Sequence, residues 1–175
     1  MAKKVAVVAV NPVNGLGLFQ YLETFFENKI PYKVFAIAQS KSIHTNSGIA
    51  IEADDVIANL KGHADDFDAL VFSCGDAVPV FGEHIADQYN VDLLNVIKEF
   101  AQKQKLMIGH CGASLIFEIA GVTQGKTLAA HPYVQSMIKN GHATDNAFEI
   151  DGNFYTAQCE HCLPKLMPKV VEALK

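Results

Sequence analysis

The chain has 175 residues, half of them hydrophobic, and its 14 Lys and Arg against 19 Asp and Glu leave a net charge of -5. That length suits a single domain spanning 1–175 and is short for two. The acidic balance excludes the clustered basic face of a nucleic-acid binder, and no apolar run approaches the roughly 18 residues of a membrane span.

Val5-Ala6-Val7-Val8-Ala9-Val10 is too short for a signal-peptide core despite the preceding Lys3-Lys4, so a cytoplasmic protein is expected. Its β-branched and small apolar residues read instead as a central strand covered on both faces. Turn chemistry at Asn11-Pro12-Val13-Asn14-Gly15 leads into helical spacing over 16–28, with Leu18, Leu22, Phe25 and Phe26 on or near one face. Residues 32–38 form a second strand, which completes a βαβ unit. A short strand or hairpin arm follows at 47–52, and Asp54-Asp55 is placed to cap a brief helix over 56–60. Ala69-Leu70-Val71-Phe72 is a third buried strand that ends in Ser73-Cys74-Gly75-Asp76.

Helical patterns over 81–89 and 92–102 precede a strand at 106–110, and a further helix runs to about Gly121. Then come a strand at 126–130, the His131-Pro132 step with a small helix, and a hairpin turning at Asp151-Gly152. A helix over 163–174 closes the chain, with Pro164 and Pro168 pointing to an early start and a bend. Strands alternating with helices give an α/β fold with a mostly parallel, doubly wound sheet. Such sheets bind ligands at the carboxyl ends of their strands.

Ile108-Gly109-His110-Cys111-Gly112-Ala113-Ser114 lies where the strand meets the helix. A nucleophile elbow needs small neighbours such as Gly109, Gly112 and Ala113 around its sharp turn. A thiol presented there at a helix N-terminus is favoured as thiolate. The competing reading is an inert buried cysteine, a common fate for this residue type. Four cysteines in a chain without a signal sequence point to reduced, catalytic, redox or metal-binding roles rather than a disulfide framework.

The order and spacing of these segments resemble the ThiJ/PfpI family of the class I glutamine amidotransferase-like superfamily. The resemblance spans nearly the whole chain. It is carried by the 4–8 strand, Asp68-Ala69-Leu70-Val71-Phe72-Ser73-Cys74-Gly75, Gly109-His110-Cys111-Gly112-Ala113, Thr127-Leu128-Ala129-Ala130-His131-Pro132 and Asp151-Gly152-Asn153-Phe154-Tyr155-Thr156-Ala157. It implies a flavodoxin-like three-layer sandwich in which Cys111 is the nucleophile, His131 stands beside the thiol, and the Gly75 and Gly112 amides form an oxyanion site. It also implies a homodimer acting on a small-molecule substrate, with no cofactor. Members include hydratases of small carbonyls, glyoxalase- and deglycase-like enzymes, peptidases, isonitrile hydratases and stress or redox proteins.

Two departures stand out. Many members carry a carboxylate early in the first helix that hydrogen-bonds the thiol, whereas residues 11–22 contain none, and the matching place falls on Phe19 or Gln20. Gln20 can hydrogen-bond a thiolate but cannot shuttle a proton; Glu23 lies one turn later and reads as a solvated helix residue. The family's usual Pro-Gly-Gly is here Ser73-Cys74-Gly75, and Cys159 matches a segment that borders the nucleophile. Cys74 and Cys159 are thus expected as thiol neighbours. A set of Cys111, His131 and Cys159 would leave a metal one open position, while Cys159-Glu160-His161-Cys162 is a single Cys-x-x-Cys, a redox or zinc half-site.

Strand alternation directs His110 away from the thiol, towards a dimer interface. His44, His63 and His84 read as surface residues and His142 as a weak supporting candidate. Three functions remain open: a cysteine-dependent enzyme of hydrolase or lyase type acting on a small carbonyl or amide, a redox sensor with Cys111 as the oxidisable thiol, and a metal-binding protein.

Overall fold

The computed structural model describes residues 3–175. β1 (Val5–Ala9) is buried throughout, as its unbroken Val and Ala run requires. Asn14 then caps α1 (Gly15–Glu27), its Oδ1 accepting the Gly17 N–H at 2.6 Å. Helical spacing turns Leu18, Tyr21 and Phe25 into the core. β2 (Tyr32–Ala36) returns beside β1, and β3 (Ser42–His44) pairs with β4 (Ala50–Glu52) as a separate hairpin.

The helix expected over 56–60 is only a 3-10 turn at Ile57–Asn59, preceded by the two-residue strand β5 (Asp55–Val56). Asp54 does not cap that turn. Its carboxylate accepts the main-chain N–H of Val34 at 2.8 Å and so fastens the edge of β2. After β6 (Ala69–Ser73), the pattern over 81–89 gives a 3-10 turn at Phe81–His84, and α2 (Gln88–Gln102) begins earlier than its apolar spacing indicates. β7 (Leu106–His110) is followed by α3 (Ala113–Ile119), β8 (Thr127–Ala129), α4 (Pro132–Gln135) and β9 (His142–Thr144). β10 (Phe148–Asp151) and β11 (Phe154–Ala157) form the expected hairpin, with Gly152 at a positive φ of 59° in its turn. α5 (Leu163–Leu174) closes the chain.

Seven strands form the main sheet in the order β10-β11-β7-β6-β1-β2-β5, parallel except for the β10–β11 pair. α1 packs with α5 and α2 with α3, so helices flank the sheet in a three-layer sandwich. The order places β7, β6 and β1 side by side, and their carboxyl ends deliver His110, Ser73 and Ala9 to one edge of the molecule. Among the described residues no helix is long and apolar enough to cross a membrane.

Candidate active site

Cys111 occupies the turn between β7 and α3 with φ 58°. Lys29 and Gln104 share that left-handed conformation, but they follow the ends of α1 and α2, where helices commonly terminate this way. Cys111 instead precedes a helix, at a backbone cost of about 1–3 kcal/mol that the surroundings must offset. Its N–H donates to the Ala157 carbonyl at 3.1 Å, and its carbonyl accepts the His131 N–H at 3.2 Å. Close approach demands the flanking glycines. A Cβ on Gly109 would lie 2.4 Å from the Ala113 Cβ, and one on Gly112 would lie 2.6 Å from Val78 Cγ1.

The thiol opens into a cleft of about 440 Å³ whose lining includes Cys74, Gly75, Gly112, His131 and Glu160. Cys74 is almost fully buried, lines the same cleft as Cys111 and directs its S–H at the Gly75 carbonyl at 4.0 Å. Hydrogen bonding with the neighbouring Cys74 thiol is the main reason the Cys111 thiol is held below its usual range; burial and the charges of Glu160 and Asp76 work against it, while the Gly112 amide assists. The same bond, with burial, pushes the Cys74 thiol well up. Of the two thiols, Cys111 is thus the more readily ionised. The Gly75 amide works to lower the Cys74 thiol and the Gly112 amide both thiols, and both glycines line the cleft.

His131 caps α4, its Nδ1 accepting the Tyr133 N–H at 3.2 Å. In the neutral ring the proton must therefore be on Nε2, free to donate into the cleft. The segment before it is fixed from two sides: Ala129 donates its N–H to Thr156 Oγ1 at 2.9 Å, and its carbonyl accepts the Ser114 hydroxyl at 2.8 Å.

His110 departs from the alternation argument. It is 1 % exposed and lines the cleft, so it is not available to an interface. Its Nδ1 lies 3.1 Å from the Tyr21 hydroxyl, while Nε2 has no hydrogen-bond partner. Burial pushes its pKa down to about 4, although the charge of Glu160 works the other way. The ring occupies space that α1 leaves empty, since a Cβ on Gly17 would stand 2.5 Å from Nε2. Gly17, not Phe19 or Gln20, is thus the early-helix residue that faces this region. Phe19 is 42 % exposed on another surface.

Gln20 does not reach the thiol; its Nε2 donates to the carbonyls of Leu16 and Glu160 at 3.2 and 3.0 Å. Cys159 is likewise outside the cleft lining and bonds to Cys162. Cys111, His131 and Cys159 are not gathered into a metal site, and no group of three or more His, Cys, Asp or Glu is so arranged among the described residues. Glu23 is exposed as expected. His63 and His84 pair on the surface with Asp66 and Asp87, each at 3.1 Å, and His44 and His142 are exposed.

Sequence reasoning missed Glu160. It follows β11, lines the cleft, and its Oε1 accepts from Asn14 Nδ2 at 3.4 Å. A carboxylate therefore does reach the site, from the far end of the chain rather than from α1. In the sequence this carboxylate stands inside Gln158-Cys159-Glu160-His161-Cys162, directly after a cysteine expected to border the nucleophile.

The sequence pattern of the DJ-1/PfpI family matches residues 3–173. The chain belongs to the DJ-1/PfpI family. A DJ-1/PfpI relative at close range is Protein ppBat of Bacteroides thetaiotaomicron, 63% identical over 175 residues with the whole of both chains covered. A crystal structure from the same organism, provisionally named protease I, superposes with a TM-score of 0.98 at 63% identity, covering 99% of this chain and 100% of that one. Drosophila melanogaster DJ-1beta shares the fold at a TM-score of 0.84 and 20% identity, covering 99% of this chain and 91% of that one. Within the DJ-1/PfpI fold, this chain combines a buried second sulfur at Cys74 with a carboxylate supplied by Glu160.

Proposed function

We propose that this protein is a cysteine-nucleophile enzyme, of hydrolase or lyase type, acting on a small electrophilic carbonyl or amide. The observation that carries the reading is the Cys111 thiol. It is held in a strained turn, favoured as thiolate by the neighbouring Cys74 thiol, and open to a cleft of ligand size. Cys111 Sγ attacks the carbonyl carbon, and the oxygen that gains the electron pair is received by the Gly75 and Gly112 amides. With an aldehyde, His131 Nε2–H is placed to hydrogen-bond the new oxygen, and a proton from water completes a hemithioacetal. With an amide, a proton from water goes to the departing nitrogen as the C–N bond breaks, leaving a thioester and hydroxide. Water activated by Glu160 then splits the thioester and returns the thiol.

Turnover of α-oxoaldehydes and small amides is measured for the native chain and for Cys111→Ser, with circular dichroism to confirm the fold. Loss of turnover in a folded variant is the expected result; retained turnover would overturn the reading. The provisional name of the Bacteroides thetaiotaomicron neighbour favours peptide amides as a second substrate class. A fluorogenic peptide in the same assay separates the two, because a compact cleft of about 440 Å³ fits small ligands better than an extended chain.

A further inference from the structure

Two sulfurs lie outside the Cys111 cleft. Cys159 ends the extended stretch after β11, Cys162 immediately precedes α5, and the 3-10 turn Glu160–Cys162 joins them. The Cys162 N–H donates to the Cys159 carbonyl at 3.0 Å. A main-chain bond from residue i+3 to i keeps the two Cα atoms within about 7 Å. The side chains converge as well, with the sulfur atoms 3.6 Å apart. A disulfide needs Cα atoms about 4.4–6.8 Å apart and sulfurs at about 2.05 Å, so side-chain rotation closes most of the remaining gap. Both residues are partly exposed, which lets a reagent in.

A structural zinc would need four ligands, and no third metal-binding side chain joins this pair among the described residues. The sulfurs are also inequivalent. Cys159 is the donor of the S–H···S contact, and burial together with Cys162 holds its thiol up. Cys162 accepts that contact, has its own S–H directed at Gln158 Oε1 at 3.9 Å, and stands at the start of the 12-residue helix α5.

We propose that Cys159 and Cys162 form a dithiol redox site that exchanges with small-molecule disulfides, separate from the chemistry of Cys111. Cys162 Sγ attacks one sulfur of the disulfide; a mixed disulfide forms, the original S–S bond breaks, and the first thiolate leaves. Cys159 then loses its proton to that thiolate or to water and attacks Cys162 Sγ, expelling the second. The two protein thiols give up two electrons and two protons, and the external disulfide becomes two thiols.

The full chain is equilibrated at graded ratios of glutathione to glutathione disulfide, acid-quenched, alkylated and mapped by mass spectrometry. As the disulfide fraction rises, the peptide carrying both residues should lose two hydrogens and stop accepting the alkylating reagent. Cys159→Ser removes the resolving sulfur, so a glutathione adduct should build up on Cys162 to roughly ten times its native level. Circular dichroism establishes that the variant is folded. Alkylation of both residues as free thiols at every ratio would overturn the proposal. So would a folded Cys159→Ser chain with no adduct on Cys162.

Discussion

Glu118 ties the helix that follows Cys111 to the segment beyond His131, and replacing it with Gln tests how strongly that tie holds. The side chain is 8 % exposed near the end of α3. Its Oε1 accepts from the Lys139 N–H at 2.9 Å, the Asn140 N–H at 2.7 Å and Asn140 Nδ2 at 3.0 Å. Its Oε2 accepts from the Gly141 N–H at 3.1 Å and from the Thr123 hydroxyl. Burial alone would raise the carboxyl, but these donors outweigh it and bring the pKa from 4.5 down to about 2. At 1.36 kcal/mol per pH unit, that difference corresponds to about 3 kcal/mol of stability. Because the folded value lies below the unfolded one, the stabilisation is fully present above pH 4.5 and disappears as pH falls towards 2.

Glu118→Gln keeps the shape but removes the charge and turns an amide NH2 towards groups that themselves donate. Urea unfolding near pH 7 should show a loss of about 3 kcal/mol, or roughly 6–12 °C in Tm for a chain of this length. The gap between native and variant should narrow steadily below pH 4.5, where the native chain loses the same contribution. A loss under about 1 kcal/mol at neutral pH, or a gap that does not change with pH, would refute the argument.

Cys74→Ala removes the thiol that favours the Cys111 thiolate. The pH profile of Cys111 alkylation should move upward and the rate at neutral pH should fall. Glu160→Gln acts in the opposite direction, because its charge opposes the thiolate, and the same profile should move downward. Gly75→Ala places a Cβ 2.2 Å from the Pro12 carbonyl oxygen and 2.6 Å from Val13 Cα, main-chain atoms that cannot swing away. Its urea midpoint should drop by the equivalent of about 1–3 kcal/mol or more, whereas Gly82→Ala, which meets nothing within 4 Å, should change it little.

The elements easiest to read in the sequence were those whose residues contact mainly their own neighbours or an uninterrupted core. Five apolar residues in a row place β1, and the Leu106–His110 and Leu163–Leu174 elements fall where their patterns indicate. Asp54 misled because a carboxylate ahead of a short helical pattern looks like a cap, while its partner, Val34, lies 20 residues away. His110 misled for a different reason. Alternation describes the two faces of a sheet, but a cleft at the strand ends gathers side chains from both. Glu160 was invisible as a site residue because only the return of the chain after β11 brings it beside Asn14.

The empty place at Gly17 also constrains which sequences this protein can reach by single changes. Any side chain added there meets the His110 ring, with a Cβ 2.5 Å from Nε2, so the helix cannot gain an inward-facing carboxylate while that imidazole remains. Conversely, trimming His110 alone would leave a void beside Tyr21 and Asn14. The two positions are therefore expected to be epistatic, each substitution harmful alone and tolerated together. With both residues present, an acidic group for the cleft has to come from elsewhere in the chain, as Glu160 does.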